Sequence, residues 1–464
     1  MPLVRGSTAT PDAETGNRPS LPAGLFVLAC RNGRFSLARK RPFHAAGGIS
    51  PAIAAAVREG DNRDERRLWI SQKRDRYPAI GEREPWLRFE TQPPVGREDA
   101  MPLIVGVDEA GYGPNLGPLV IAASAWRAPL DHCAHGADVP TVMPAFLCCE
   151  RSPLGNARGA AAGAAAGPGI ADSKVVYRNG GVAALERTVL AALTVLRGES
   201  GGASAEAPPG VMDKAIAPKP GATAASPLPR TAAMLCRELA DCHAAGWLEE
   251  RANREIDLPL PRAAAPAEID RAAALWRAAA DETPLELVGL VARPVFPAEF
   301  NRLLEQRGRK SDLLSQASLE LVFDLIDRLR NRWEPDEPLT IYCDKHGGRN
   351  RYSALLSAAA GGALFAPIEE SRELSRYRGR YDRRPVEWLF LSKAERLVPV
   401  ALASLTAKYL RELAMEAFNR YWTSRVPGLR ATAGYPVDAR RFLAETEAAR
   451  RAEATPISAF WRNK

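Results

Sequence analysis

One run constrains this chain more than any other. Leu103-Ile104-Val105-Gly106-Val107 is an apolar strand that ends at two adjacent carboxylates, Asp108 and Glu109. The chain then enters Ala110-Gly111-Tyr112-Gly113-Pro114-Asn115 and returns as a second apolar strand, Leu119–Trp126. Gly, Pro and Asn in the connection favour reversal. A carboxylate on a rigid strand is a low-cost ligand for a hard divalent cation such as Mg²⁺, which binds oxygens, commonly one or two carboxylates with phosphate and water. Glycines at 111 and 113 let backbone approach a sugar-phosphate chain. Taken alone, an Asp-Glu-Ala-Gly segment also fits an ordinary acidic turn after a strand.

The rest of 101–464 alternates helix and strand. Val182–Leu196, Ala232–Ala245 and Ala267–Ala280 read as helices and Leu285–Val295 as a strand. Over Ser311–Arg330, Leu314, Leu319, Leu321, Val322, Leu325, Ile326 and Leu329 give a helix one apolar side. Leu339–Cys343 is a short buried strand ending at Asp344, and Val398–Trp422 a long helix that must stop by Pro427-Gly428. Strands with intervening helices and tight reversals predict a layered α/β domain. Two insertions interrupt it, near 127–170 and 197–280; within them 155–169 is low-complexity and reads as a flexible surface insertion, and 197–229 is Gly/Ala/Pro-rich and loop-like.

Several segments follow the order of the type 2 ribonuclease H family, which the chain resembles. Gly106-Val107-Asp108-Glu109-Ala110-Gly111-Tyr112-Gly113-Pro114 through Ala123 is similar to its first motif. Ala171-Asp172-Ser173-Lys174 resembles its Asp-Ser-Lys segment before a helix, and Ile341-Tyr342-Cys343-Asp344 the strand that carries its third acid. Ala403-Ser404-Leu405-Thr406-Ala407-Lys408 resembles its Ala-Ser helix, and Gly434-Tyr435-Pro436 its closing Gly-Tyr-Pro. The resemblance covers most of 101–445 and implies a ribonuclease H-like mixed β-sheet flanked by helices, with low-complexity insertions and an N-terminal extension.

The same resemblance implies a function. Asp108, Glu109 and Asp344 become metal-binding acids, and Glu395 stands where the family has an Asp before Val-Pro. Two Mg²⁺ or Mn²⁺ ions, about 4 Å apart, would serve hydrolysis of the RNA strand of an RNA–DNA hybrid, or of DNA at an embedded ribonucleotide. Gly111, Tyr112 and Gly113 would meet the ribose, with Tyr112 in place of the family's Arg. Lys174 and Lys408 would contact phosphates, and Tyr435 would stack on a sugar or else be a core tyrosine. A non-catalytic hybrid-binding homologue and a DNA nuclease or resolvase on the same fold are the alternatives.

Other residues admit two readings. Lys345, His346, Arg349 and Arg351 after Asp344 could hold phosphates, His346 could move a proton, or the loop could simply be solvated. Ile368–Pro385 interleaves arginines with Tyr377 and Tyr381, a composition that suits phosphate and base contacts or an exposed charged loop. His132, Cys133, His135, Cys148 and Cys149 lack standard zinc spacing. The seven cysteines form no CxxC pair, as expected of reduced thiols in the cytoplasm. No run of about 18 apolar residues predicts a membrane span. The net charge of +8 says little of the main domain, since five of those charges lie in residues 1–100.

That first segment is rich in Arg, Pro and Gly, with only Leu25–Ala29 strand-like, and the domain pattern begins at Met101. The expected organisation is an extension over 1–100, a nuclease domain over 101–450 and a tail over 451–464. If the natural start is Met101 and the extension is not natively translated, mass spectrometry of the native protein finds no abundant peptides from residues 20–95; a small accessory domain is the alternative.

Overall fold

Alternation of apolar side chains along the first strand sets the layers. The computed structural model describes residues 30–31, 34–35, 102–128, 147–155, 169–198, 228–282, 285–332 and 337–463. The chain divides into two units, Met1–Phe89 and Glu90–Lys464. In the first, Cys30–Arg31 pairs antiparallel with Arg34–Phe35. The expected strand Leu25–Ala29 and residues 129–146 lie outside the described residues.

In the second unit, strand β1 (Leu103–Ala110) sends Leu103, Val105 and Val107 to one face of a sheet and Ile104 to the other. Successive strand residues point to opposite faces, so both faces must be covered. The other strands are β2 (Leu119–Arg127), β3 (Glu286–Val295), β4 (Leu339–Asp344), β5 (Phe365–Glu370), β6 (Leu374–Tyr381) and β7 (Arg384–Leu391). They form one seven-stranded sheet in the order β3-β2-β1-β4-β7-β6-β5. β1, β2 and β3 are antiparallel neighbours, β1/β4 and β4/β7 are parallel, and β7/β6 and β6/β5 are antiparallel. The fold is therefore a mixed α/β sheet with helices on both faces.

Helices complete the layers. On one face lies α5 (Lys310–Leu329), whose Leu314, Leu319, Val322 and Ile326 are buried, following α4 (Pro297–Arg307). On the other lie α1 (Ser173–Gly198), α2 (Ala232–Ala240), α3 (Pro266–Glu282) and α7 (Val398–Thr423). Further helices include α6 (Ser353–Ala359) after β4 and α8 (Pro436–Glu445) after α7. Leu397 caps α7 in extended conformation and Pro399 occupies its first turn, where a missing N–H costs nothing. A Cβ at Gly106 would stand 2.1 Å from the carbonyl carbon of Pro399, so β1 and α7 touch through backbone.

Residues 228–282 supply core to the sheet. Trp276 of α3 stacks on Trp126 of β2, with centroids 6.0 Å apart and planes 8° apart. Glu186 of α1 is fully buried and accepts from the N–H groups of Arg262 (2.8 Å), Ala263 (2.6 Å) and Ala264 (2.7 Å) and from the Tyr409 hydroxyl (2.6 Å). These bonds tie α1, the turn before α3 and α7 together. Residues 147–155 likewise pack on the segment before α7, where the Cys149 N–H donates to Arg396 O (2.9 Å).

The arginine–tyrosine stretch does not form a phosphate-facing loop. Arg376 and Tyr377 of β6 are buried; Arg376 and Arg378 both reach Glu387 Oε1 on β7, at 2.6 and 2.7 Å, and the Tyr377 hydroxyl donates to Glu370. Tyr381 packs on Phe323 of α5. Buried arginine is retained where a carboxylate satisfies it. Among the described residues, no helix is long and apolar enough to cross a membrane.

Glu186→Gln keeps the shape but replaces a charged acceptor that serves four donors with one amide oxygen. Urea unfolding is expected to show a loss of about 2–4 kcal/mol, since bonds to a charged group contribute about 1.5–3 kcal/mol each and some donors would be left bare.

Candidate active site

Parallel register brings two distant acids together. Val107 of β1 faces Cys343 of β4, so the next residues, Asp108 and Asp344, are neighbours at the carboxyl ends of adjacent parallel strands. Both lie on the α7 side of the sheet, because Val107 and Cys343 belong to the opposite core. Such strand ends, where connections part to either side, are where α/β sheets place their ligands. β7 ends beside β4, with Leu391 opposite Asp344. Its continuation turns through Lys393, in left-handed backbone, into the single turn Ala394–Arg396 that carries Glu395. The Ala394 N–H donates to Asp344 Oδ1 (3.0 Å), fixing that turn on the acid.

The four acids differ in their surroundings. Burial and then the neighbouring Asp344 push the Asp108 carboxyl up to about 7, against hydrogen bonds from Ser404 and the Glu109 N–H, with Glu395 adding a further upward push. That N–H stands 2.8 Å from Asp108 Oδ1. Burial and then Asp108 hold Glu109 well above the usual carboxylate range. Burial raises Asp344, while the Ala394 N–H and the charge of Lys174 lower it. Burial and like charge both disfavour ionisation, and a nearby cation reverses the effect.

The structure therefore brings Asp108, Glu109, Asp344 and Glu395 into one electrostatic cluster, with Lys174 beside it. Their donors are all hard oxygens, the chemistry a Mg²⁺ or Mn²⁺ ion takes. Among the described residues, no three carboxylate, imidazole or thiol groups already stand in a metal-holding arrangement.

The glycine-rich connection forms the next wall. Gly111 has φ +84°, a left-handed backbone that suits glycine, and a Cβ there would stand 2.4 Å from Arg411 Nε. Arg462, from the far end of the chain, donates to Gly111 O (2.7 Å) and to Pro114 O. The N–H groups of Asn115 (2.7 Å) and Leu116 (3.3 Å) donate to Gly434 O, which docks the Gly-Tyr-Pro segment on the loop. Tyr435 is 58% exposed beside Gly113, so it is not a core tyrosine. Tyr112 reaches the other way, its ring 4.5 Å from Lys310 Nζ and its hydroxyl against Gly347.

Other predicted residues lie elsewhere or are already engaged. Lys408 stands one turn after Ser404, 4.3 Å over the Tyr177 ring and 3.4 Å from Glu412. His346 is buried, with Nδ1 3.0 Å from Ser315 Oγ and Nε2 3.2 Å from Cys343 Sγ. Burial drives it down to about 3, so it stays neutral and cannot serve as the proton carrier considered above. The Lys345 ammonium is consumed by Asn350 (2.9 Å), Ser371 O (2.7 Å) and Ser375 (2.9 Å), and Arg349 by Asp312. Arg351 remains solvent-facing beside Glu370. Cys148 and Cys149 are free thiols, and burial pushes Cys149 up to about 12; His132, Cys133 and His135 lie outside the described residues.

Three site residues lacked a sequence signal of their role: Ser404, legible only as a member of the Ala-Ser motif, Arg411 and Arg462. The first two recur along α7 with Lys408 at helical spacing, which becomes informative only once α7 is known to lie under β1.

The raised pKa of Asp108 gives a signed pH effect in cation-free protein. A carboxyl whose folded pKa exceeds its unfolded value contributes stability below the unfolded value, and that contribution is lost as pH rises through the folded one. Asp108→Asn is thus expected to melt a few °C above wild type at pH 8, with the gap closing by pH 4. Thermal unfolding in EDTA across that range checks it.

The chain matches no protein-family model and no curated protein. Solved structures similar to it include an RNase HII from Archaeoglobus fulgidus in complex with PCNA, at 14% identity and TM-score 0.29 over 78% of this chain and 94% of that one. The ribonuclease H2 from Pyrococcus horikoshii OT3 is similar at 15% identity and TM-score 0.29, over 77% and 92%. Bst-RNase HIII in complex with Mn2+ is similar at 14% identity and TM-score 0.31, over 78% and 66%. At these TM-scores the likeness carries no weight for function, which rests on this chain's own strand order and residues.

Proposed function

We propose that this chain is a ribonuclease H type endonuclease, cutting the RNA strand of RNA–DNA hybrids or DNA at embedded ribonucleotides with Mg²⁺ or Mn²⁺. The observation that carries the proposal is the register of β1 and β4. It seats Asp108 and Asp344 side by side, at the strand ends next to a glycine-rich loop, in a chain whose ordered motifs resemble that family. Asp108, Glu109, Asp344 and Glu395 would hold the cation. When bound, it would supply charge neutralisation at the phosphate and a more acidic water.

The chain's own residues account for the remaining tasks. The Glu109 N–H donates to Asp108 (2.8 Å) and the Ala394 N–H to Asp344 (3.0 Å), so each acid is oriented before anything binds, with Ser404 beside Asp108 and its hydroxyl bonded to Ser173 (3.0 Å). Lys174 is exposed and acts on Asp344, which puts it in reach of a phosphate beside the acids. The Tyr112 and Gly113 N–H groups donate to no described residue and are free for a ribose or phosphate oxygen. Tyr435 offers an exposed ring next to them for stacking on a sugar. The domain so proposed is that of residues 101–450, with 1–100 as an extension and the 451–464 tail packed back onto its glycine-rich loop through Arg462.

The test is cleavage of a labelled DNA duplex carrying one ribonucleotide, beside a uniform RNA–DNA hybrid, with Mg²⁺ or Mn²⁺. Wild type is expected to cut at least one, and Asp108→Asn to lose at least about 10²-fold, the scale on which removing one transition-state-stabilising group is felt. Binding without cutting by folded wild type would mark a non-catalytic hybrid-binding protein. Cutting confined to duplex or junction DNA would mark a DNA nuclease.

A further inference from the structure

Beneath the glycine-rich loop lie two arginines that no acid neutralises. Arg462 is 1% exposed and Arg411 6%. Arg462 spends Nη2 on Gly111 O and Pro114 O, leaving Nε and Nη1 buried without partners. Arg411 gives Nη2 to Ala433 O (3.1 Å) and leaves Nε unpartnered. Neither has an ion-pair partner among the described residues. The acid that acts on Arg411, Glu412, is paired with Lys408. The two arginines meet the loop at the same residue: a Cβ at Gly111 would stand 2.4 Å from Arg411 Nε, and Gly111 O accepts from Arg462, while burial and then Arg411 press Arg462 down to about 9.

Arg462 is held there by a dedicated set of bonds. Its N–H donates to Asn115 O (2.8 Å), and its carbonyl accepts from Asn115 Nδ2 (2.9 Å). Asn301 of α4 donates to Trp461 O (2.7 Å) and Ser458 O (2.9 Å), and accepts from the Asn463 N–H (2.8 Å). The guanidinium lies 5.0 Å over the Phe300 ring.

We propose that Arg462 is a positioning residue for the glycine-rich loop, and that with Arg411 it forms a cationic floor beneath it for a phosphate of a bound nucleic-acid backbone. The ligand class rests on the nuclease reading above. Two observations carry the proposal. Because a peptide is trans and planar, a Gly111 carbonyl pinned inward turns the Tyr112 N–H outward, toward the ligand side. And an unpaired buried charge is costly unless something of opposite sign comes near; in a medium of low dielectric it is felt across one loop's thickness. The loop itself bears Tyr112 and no cation, so the positive charge comes from below.

The test compares wild type with Arg462→Met, which removes charge and fork, and Arg462→Lys, which keeps charge but cannot span two carbonyls. Binding of a DNA duplex with one ribonucleotide is read in EDTA across a salt series, with thermal unfolding and hydrogen–deuterium exchange of the full chain. The Met variant is expected to bind at least about tenfold more weakly, with a salt slope shallower by about one. The Lys variant is expected to bind more weakly with the wild-type slope. Both should exchange faster over 109–117 and not elsewhere.

Wild-type affinity and slope in the Met variant, or faster exchange spread over the whole domain, overturns the proposal. Should the Met variant not fold, the Lys variant decides by the same measures. If wild type binds no nucleic acid, the nuclease reading fails by itself and so does the phosphate floor; the loop-positioning part then stands or falls on exchange over 109–117 alone.

Discussion

A Cβ at Gly106 would fall 2.1 Å from the carbonyl carbon of Pro399, so β1 and the first turn of α7 meet with no side chain between them. Ser124 on the neighbouring strand reinforces the contact by donating to Pro399 O at 2.6 Å. From that fixed point α7 runs along β1 and the loop beyond it. Ser404 comes under Asp108, Arg411 under Gly111, and Met415 under Gly117, where a Cβ would stand 2.1 Å from its sulfur. One close backbone approach thus sets the depth of the acids and the shape of the loop together.

The electrostatic plan follows from that geometry. Carboxylates gather at the ends of three parallel strands, and their repulsion is left standing apart from Lys174 and a few N–H donors. Unpaired guanidiniums gather under the adjoining loop. Elsewhere opposite charges meet directly, as Arg376 and Arg378 do on Glu387 and Arg293 does on Glu299 and Glu320. Carboxyls pushed toward their neutral form and guanidiniums without acid partners are thereby concentrated at one end of the sheet, and perturbed groups of this kind cluster at functional sites.

Local patterns of the chain carried much of this. β1, β2, β3, β4, α5 and α7 were legible because each has its own apolar period, and both acid-bearing strand ends could be read by eye. Register could not, since β1 and β4 are separated by more than two hundred residues and their pairing is decided by packing. The Arg–Tyr stretch was misleading for a related reason. Its alternation is that of a strand, and the carboxylate that makes Arg376 at home inside the protein sits across the hairpin on β7. His346 looked available beside Asp344, yet a two-glycine turn folds it back under the sheet onto Ser315. Arg462 had no local pattern at all, because its partners are backbone carbonyls some 350 residues away.

The carboxylate of Glu186 has a wider meaning for how the molecule moves. Its donors come from α1's neighbour turn at 262–264 and from Tyr409 in the middle of α7, the helix on which the site is built. Any excursion that lifts residues 228–282 away from the sheet strips a buried charge of its ligands. Low-energy local openings are drawn from segments with little buried structure, and this one is closed to them. The helical face behind the acids therefore opens as one cooperative piece or not at all, which leaves motion near the site to the loops in front of it.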